Sequence, residues 1–220
     1  MKIATWNIER LKHKRQLEKI LNACEQLNSD IMTLTETDEQ VQLKYNYSFK
    51  TPPLHEIQPK YYKMTENRIS IFTNYKCIRQ YETYDKYTAL CIELETELGN
   101  LIVYGTIIGI HGNRRPSFNQ DLLQQVKDFN RLSAINNFCV CGDFNCSFAD
   151  NYYFTKLGRD TLLQAFSDSH IKLLTGKQVE CIDHIAITDK FMSDNKVDVE
   201  EWNIDKKLSD HKGIAVRFNL

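Results

Sequence analysis

Two short β-type segments bracket one amphipathic helix at the start of the chain, and this pattern restricts the fold more than any other feature. Residues 2–8 alternate apolar and polar side chains and include Ile3, Thr5 and Trp6, which predicts a strand. Leu17, Ile20, Leu21, Cys24 and Leu27 then recur at helical spacing, predicting an amphipathic helix over about residues 13–29. Asn28-Ser29-Asp30 ends it, and residues 31–35 form a second apolar run that stops at Glu36. Strand, helix, strand in this order is a β-α-β unit, whose strands are normally parallel and whose crossover is right-handed.

The middle of the chain reads differently. Residues 41–63 are rich in Tyr and Pro and predict a loop with short extended pieces. Short β-like runs follow at 68–73, 77–81, 88–94 and 101–108, with Glu97-Leu98-Gly99-Asn100 as a hairpin turn between the last two. They suggest an antiparallel meander. A helix is expected over about 117–136, a buried strand over 138–141 and another helix near 159–168. Three more strands are expected near 184–188, 197–204 and 213–218. No repeat, low-complexity tract or linker interrupts the chain, so residues 1–220 are read as one α/β domain. Two sheets packed face to face with helices outside accommodate this order.

Composition narrows the function classes. Lys and Arg number 28 against 29 Asp and Glu, which excludes a strong whole-protein attraction to nucleic acid or acidic membrane but not a local basic groove. No apolar run approaches the roughly 20 residues of a membrane span. The opening MKIATWNIERLKHKR turns charged too early for a secretory signal, so a cytoplasmic, monomeric protein is the expectation. The 7 cysteines are irregularly spaced and read as reduced, mostly buried thiols. Cys139 and Cys141 lack the second pair that a zinc site needs.

Polar residues recur where strands stop. Asn7 and Glu9 end the first strand, and Glu36 and Asp38 the second. Asp143 and Asn145 follow the short Val-Cys strand, Asp183 and His184 precede another, and Asp210 and His211 precede the last. Ligand sites of α/β sheets favour strand ends. Singly, each residue has an ordinary explanation, because Asp and Asn form turns. Carboxylates such as Glu36 and Asp210 are hard oxygen ligands suited to Mg²⁺. An Asp183–His211 pair would favour an imidazolium, which suits an anionic transition state.

The ordered blocks Trp6-Asn7-Ile8-Glu9, Leu34-Thr35-Glu36, Gly142-Asp143-Phe144-Asn145, Ile182-Asp183-His184-Ile185 and Ser209-Asp210-His211 resemble the endonuclease/exonuclease/phosphatase superfamily, the fold of DNase I and of exonuclease III-like nucleases. The resemblance runs from residue 6 to 211. It implies a four-layer α/β sandwich, with two mixed β-sheets between outer helices, and phosphoester hydrolysis with Mg²⁺ or Mn²⁺. It further implies that Glu36 is the principal metal carboxylate, with Glu9 and Asp210 beside the metal. Asn7 and Asn145 would bond the phosphate and the catalytic Asp. Asp143 would position or deprotonate the attacking water, and His211, oriented by Asp183, would contact the phosphoryl oxygen. The chain departs from the pattern at Ile107, where many members carry Tyr or His. His111, Tyr104 or the Arg114–Arg115 pair are the candidates to replace that contact.

The implied activity is a nuclease-like phosphodiesterase acting on DNA or RNA. The alternatives are a phosphodiesterase or phosphatase for a small phosphorylated molecule or nucleotide, and an inactive binding module of the same fold. Lys12, His13, Lys14, Arg15, Arg114 and Arg115 could contact flanking phosphates. Tyr45, Tyr47, Tyr61, Tyr62, Tyr152 and Tyr153 could stack on unpaired bases.

Overall fold

A computed structural model describes residues 1–192 and 196–219. The described strands form two six-stranded sheets. The first contains β1 (Lys2–Asn7), β2 (Ile31–Asp38), β3 (Tyr47–Lys50) and β4 (Glu66–Thr73), together with β11 (Val197–Trp202) and β12 (Gly213–Phe218), in the order β11-β12-β1-β2-β4-β3. The second contains β5 (Lys76–Tyr81), β6 (Ala89–Thr96), β7 (Gly99–Ile107), β8 (Asn137–Asp143), β9 (Ile171–Leu173) and β10 (Asp183–Thr188), in the order β5-β6-β7-β8-β10-β9.

Each sheet has one parallel pair at its centre, and that pair is a β-α-β unit. In the first sheet α1 (Leu17–Gln26) joins β1 to β2, and in the second α2 (Pro116–Ser133) joins β7 to β8. The remaining pairs are antiparallel. The central strands are buried on both faces, so they read as nearly continuous apolar runs. Alternate residues divide among three clusters, one between the sheets and one on each outer face. Ile3, Ile31, Ile71, Val103 and Ile185 fill the space between the sheets. Trp6 and Leu34 face outward to Ile20 and Cys24 of α1, whereas Tyr104 and Phe138 face outward to Phe129 of α2 and Phe166 of α3 (Lys156–Asp168). Helix, sheet, sheet and helix make the four layers expected. The short α4 (Asp189–Met192) follows β10.

The sheets approach closely at Gly105, where a Cβ would lie 2.8 Å from Ile69 and 3.0 Å from Thr33. Both of those residues sit on the first sheet, so only glycine leaves room for this approach.

Three readings of the sequence change. The four β-like runs at 68–108 are not one meander: β4 pairs with β2 and β3, and only β5-β6-β7 continue antiparallel in the second sheet. Local alternation does not encode which sheet a strand joins. The first helix is shorter than its apolar spacing suggested, since residues 14–16 form a 3₁₀ turn. Residues 171–173 add β9, too short to show a period. The seven cysteines are unpaired thiols, and all except Cys77 are buried. No helix among the described residues is long and apolar enough to cross a membrane.

Candidate active site

The C-terminal ends of β1, β2 and β8 meet the start of β10 and the loop before β12 at one end of the sandwich. Asn7, Glu36, Asp143, Asp183, Asp210 and His211 are therefore delivered from both sheets.

Asp143 is at the centre. Its Oδ2 accepts a hydrogen bond from Asn7 Nδ2 at 3.1 Å, across the gap between the sheets, and its Oδ1 accepts from the Asn145 backbone N–H at 2.8 Å. The tight turn that allows this begins at Gly142, at φ +137°, where a Cβ would collide with the Thr106 carbonyl. Asn145 holds a left-handed φ of 48°, a conformation that asparagine tolerates better than most residues. Its Nδ2 donates to the carbonyls of Ile108 and Gly109, and its own carbonyl accepts from Asn113 Nδ2 at 2.7 Å. Burial pushes the Asp143 carboxyl up to about 7; the neighbouring His211 charge resists this and Asp183 adds to it. An acid held near neutrality is matched to accepting a proton.

Asp183 pairs with Asp143 in the β8–β10 register, so the two carboxylates are neighbours by construction. His211 bridges them in charge. Its Nδ1 lies 2.5 Å from Asp183 Oδ2, and its Nε2 lies 3.5 Å from Asp210 Oδ1. Burial alone would lower the imidazole, but Asp183 and Asp143 outweigh it and lift His211 to about 10. His211 is thus an imidazolium at neutral pH. Asp183 Oδ1 is buried with no hydrogen-bond partner among the described residues, leaving one acceptor position in the site. Asp143, Asp183 and His211 bring ligand atoms within 4.8 Å of one another. With His211 protonated the cluster handles a proton, and with it deprotonated the same three residues could hold a cation.

The first-sheet side is built on strained backbone. Glu9, Arg10 and Leu11 take φ values of 51°, 52° and 53° in succession, a left-handed turn, and Glu36 adds another at 47°. Each such non-glycine residue costs about 1–2 kcal/mol. The turn brings Glu9 back over the β12 loop, where its Oε2 accepts from Asp210 N at 2.8 Å and its Oε1 holds Lys12 Nζ at 2.8 Å. His13 Nε2 lies 3.4 Å from the same carboxylate. Burial would raise Glu9, but these hydrogen bonds and charges lower it. The β12 loop is also tied down by Ser209, whose hydroxyl donates to the Asn7 carbonyl at 2.6 Å, and by Trp6, which donates to the His211 carbonyl at 3.0 Å.

Three carboxylates converge on the Lys12 ammonium, which is raised by its hydrogen bond to Glu9 and by the charges of Glu9, Glu36 and Asp210. A cation is favoured there, and the side chain supplies one. Glu36 and Asp210 suit a hard divalent cation: Glu36 accepts no hydrogen bond among the described residues, its nearest cation being Arg10 Nε at 3.9 Å, and Asp210 is exposed. Glu9 fits less directly, because both oxygens already hold protein donors.

Of the candidates for the missing polar group at 107, the structure turns Tyr104 away from the site. Ile107 faces the inter-sheet core beside Asp143. Tyr104 points to the opposite face and bonds Asp128 at 3.1 Å, well removed from the strand-end cluster. His111 is exposed and lines a separate cleft with Tyr84, Asp85 and Asp121. Arg114 and Arg115 are exposed on the loop that carries Asn113. Of the tyrosines, Tyr152 and Tyr153 line a cleft of 270 Å³ with Asn145, Asp210 and His211. Tyr45 instead packs on Phe72 and bonds Ser29. His184, next to Asp183, is buried between Thr175 and the Cys146 carbonyl and takes no part in the cluster.

Sequence reasoning missed Asn113 and the arginines Arg10 and Arg68. Nothing in local pattern marks a loop asparagine as a brace. A buried arginine in the middle of a strand is a signal only once its burial is known.

No curated protein sequence matches the chain. Among solved structures, it is similar to a 3′ phosphatase from Neisseria bound to a product DNA hairpin, at 15% identity and a TM-score of 0.70, each chain covered in full. It is likewise similar to an AP endonuclease from Archaeoglobus fulgidus, at 12% identity and 0.70, again with both chains covered in full. A Beutenbergia cavernae endonuclease/exonuclease/phosphatase is matched at 14% identity and 0.72, over 100% of this chain and 71% of that one. These likenesses share the fold. Residues 4–211 match the sequence profile of the Endonuclease/Exonuclease/phosphatase family, and the chain belongs to that family.

Proposed function

We propose that the protein is a divalent-metal-dependent phosphodiesterase that cleaves DNA or RNA by attack of a water activated at Asp143. The observation that carries this reading is the buried Asp143, gripped on both oxygens by Asn7 and Asn145 and poised at about 7, beside a His211–Asp183 imidazolium. Attack on an anionic phosphodiester needs a positioned nucleophile and positive charge at the phosphoryl oxygens. Asp143 receives the proton of the water. His211, held through Nδ1 by Asp183, presents a charged donor to a phosphoryl oxygen, and Asn145 keeps the Asp143 turn fixed. Glu36 and Asp210 would hold Mg²⁺ or Mn²⁺, with Glu9 bracing Asp210. When bound, the cation neutralises phosphoryl charge and stabilises the leaving oxygen.

Two structural neighbours, a 3′ phosphatase bound to a product DNA hairpin and an AP endonuclease, favour a nucleic-acid substrate, as do the basic residues Lys12, Lys14, Arg114 and Arg115 on the segments after β1 and β7. A small phosphorylated molecule is the second reading, favoured by the modest 270 Å³ of the cleft at His211. A hydrolysis panel with Mg²⁺ or Mn²⁺ tests both. It compares bis-p-nitrophenyl phosphate, single-stranded, duplex and abasic DNA, RNA and mononucleotides, with Asp143→Asn alongside. Metal-dependent polymer cleavage that disappears in the variant supports the nuclease, and turnover of small esters alone supports the second reading. No turnover of anything, with no metal bound, sinks both and leaves a binding module.

A further inference from the structure

Two neighbouring arginines, Arg10 and Arg68, each keep a buried Nε with no hydrogen-bond partner among the described residues. Arg68, on β4, is 4% exposed, yet it makes no ion pair among the described residues. Its Nη2 donates to the Tyr62 hydroxyl at 3.3 Å, while its Nε is buried with no partner. Arg10, on the left-handed turn, is half-buried, and its Nε is likewise buried without a hydrogen bond. Both guanidiniums lie against the Tyr62 ring, 5.3 Å from its centroid for Arg10 and 5.6 Å for Arg68. Glu36 pairs loosely with Arg10, 3.9 Å from its Nε, and makes no ion pair with Arg68 among the described residues. Asp121 feels the charge of Arg68, but its carboxylate already accepts from Gly109 N and Gln125.

Burying guanidinium nitrogens without hydrogen-bond partners is unfavourable unless another group completes them. Arginine is also the residue best shaped to grip a phosphate. We infer that Arg10, backed by Tyr62 and Arg68, binds a second phosphate of the substrate, one linkage from the phosphodiester that is cut. Arg10 makes the contact, since its side chain is 31% exposed. Arg68 is a positioning residue: it fixes the Tyr62 ring on which Arg10 rests and adds positive potential behind it. The consequence is a preference for an oligonucleotide over any ester carrying one phosphate. This subsite also supplies phosphate grip that Ile107 cannot.

The inference rests on the phosphodiesterase reading, and two measurements separate their failures. The first compares kcat/KM on a dinucleotide with the same dinucleotide carrying an added 5′- or 3′-terminal phosphate, for wild type, Arg10→Ala and Arg10→Lys. The added phosphate should improve the wild-type substrate about tenfold, as expected for one charge-assisted contact, and Arg10→Ala should erase that advantage while Arg10→Lys keeps part of it. An advantage that survives Arg10→Ala, or no advantage in the wild type, overturns the subsite. The second measures binding of a fluorescein-labelled single-stranded 12-mer in EDTA, by anisotropy, across salt concentration. Arg10→Ala should weaken binding and lower the salt slope by about one. Loss of this slope in a protein that hydrolyses nothing would keep the subsite and reject the enzyme. An unchanged slope rejects the subsite. Arg68→Met, checked for its circular dichroism and Tm, should give the same direction in a folded protein, and a folded variant that binds like the wild type removes the positioning role.

Discussion

The two sides of the site are made in opposite ways. On the second-sheet side, Asp143 and Asp183 lie on regular paired strands and are held by Asn7, Asn145 and His211, with Asn145 alone in left-handed backbone and Asp183 Oδ1 alone unpartnered among the described residues. On the first-sheet side, Glu9, Arg10 and Glu36 occupy left-handed backbone, and Arg10 and Arg68 keep unpaired nitrogens. One side is preorganised around a proton, the other holds charge that its own residues do not balance. On the function proposed above, the first side would prepare the nucleophile and the second would receive cation and phosphate.

The sharpest break between the sides is in the rate. Asp143→Asn keeps the size of the side chain but can accept only one of the hydrogen bonds from Asn7 Nδ2 and Asn145 N, and it removes the proton acceptor, so kcat should fall roughly 10²–10⁴-fold on any substrate that turns over. Steady-state kinetics at saturating metal reads this. A variant within a few-fold of wild type would show that the buried acid does not take the proton.

The histidines flanking this acid cluster divide in the same spirit. His184 and His211 are both near Asp183 and both largely removed from water, yet burial lowers His184 to about 4 whereas the carboxylates lift His211 to about 10. His184 is neutral when folded and takes a proton near 6.5 when unfolded. Its contribution is therefore complete above pH 6.5 and is lost as pH falls toward 4, by up to about 3 kcal/mol. Urea titrations from pH 7 to 4 should show this decline, and His184→Gln should flatten it. A decline of unchanged size in the variant would move its origin to other groups.

The fold and the placement of the second-sheet carboxylates were legible because regular structure carries them. The helical spacing of Leu17, Ile20, Leu21 and Cys24 and the apolar run at 31–35 announce the β-α-β unit, and Asp143 and Asp183 announce themselves by ending and beginning strands. The first-sheet side was only half legible. Glu36 is visible as a carboxylate after a strand, but the consecutive left-handed residues at 9–11 carry no sequence mark, since none is Gly or Asn. Arg68 sits in a run that reads as an ordinary strand, and its burial depends on Tyr62 in a loop whose path no local rule fixes. The pairing of β4 with β2 was hidden for the same reason: it is a long-range choice.

Metal dependence probes the second side. Glu36→Gln keeps size and removes the charge, so the Mg²⁺ concentration needed for half-maximal activity should rise about tenfold or more, with a smaller change at saturation. Direct metal binding by calorimetry should weaken in parallel. A titration that superimposes on wild type would move the ligand role to Asp210 and leave Glu36 as a partner of Arg10 alone.

The smallest effect carries the comparison furthest. If the left-handed turn is held against its own preference in order to place Arg10, then Arg10→Gly should relieve that strain and remove the guanidinium at once. Glycine accepts φ near +52° without the Cβ penalty, so the folded state should gain about 1 kcal/mol. Part of this is offset by the greater freedom of glycine in the unfolded chain. In a protein of this size the net gain corresponds to a Tm rise of about 2–4 °C or less. Binding of the 12-mer should fall in the same protein. Greater stability with weaker binding would show that the turn is maintained for function at the expense of stability. A lower Tm would mean instead that Arg10 contributes more through Tyr62 and Glu36 than the backbone loses, making the turn a structural element in its own right.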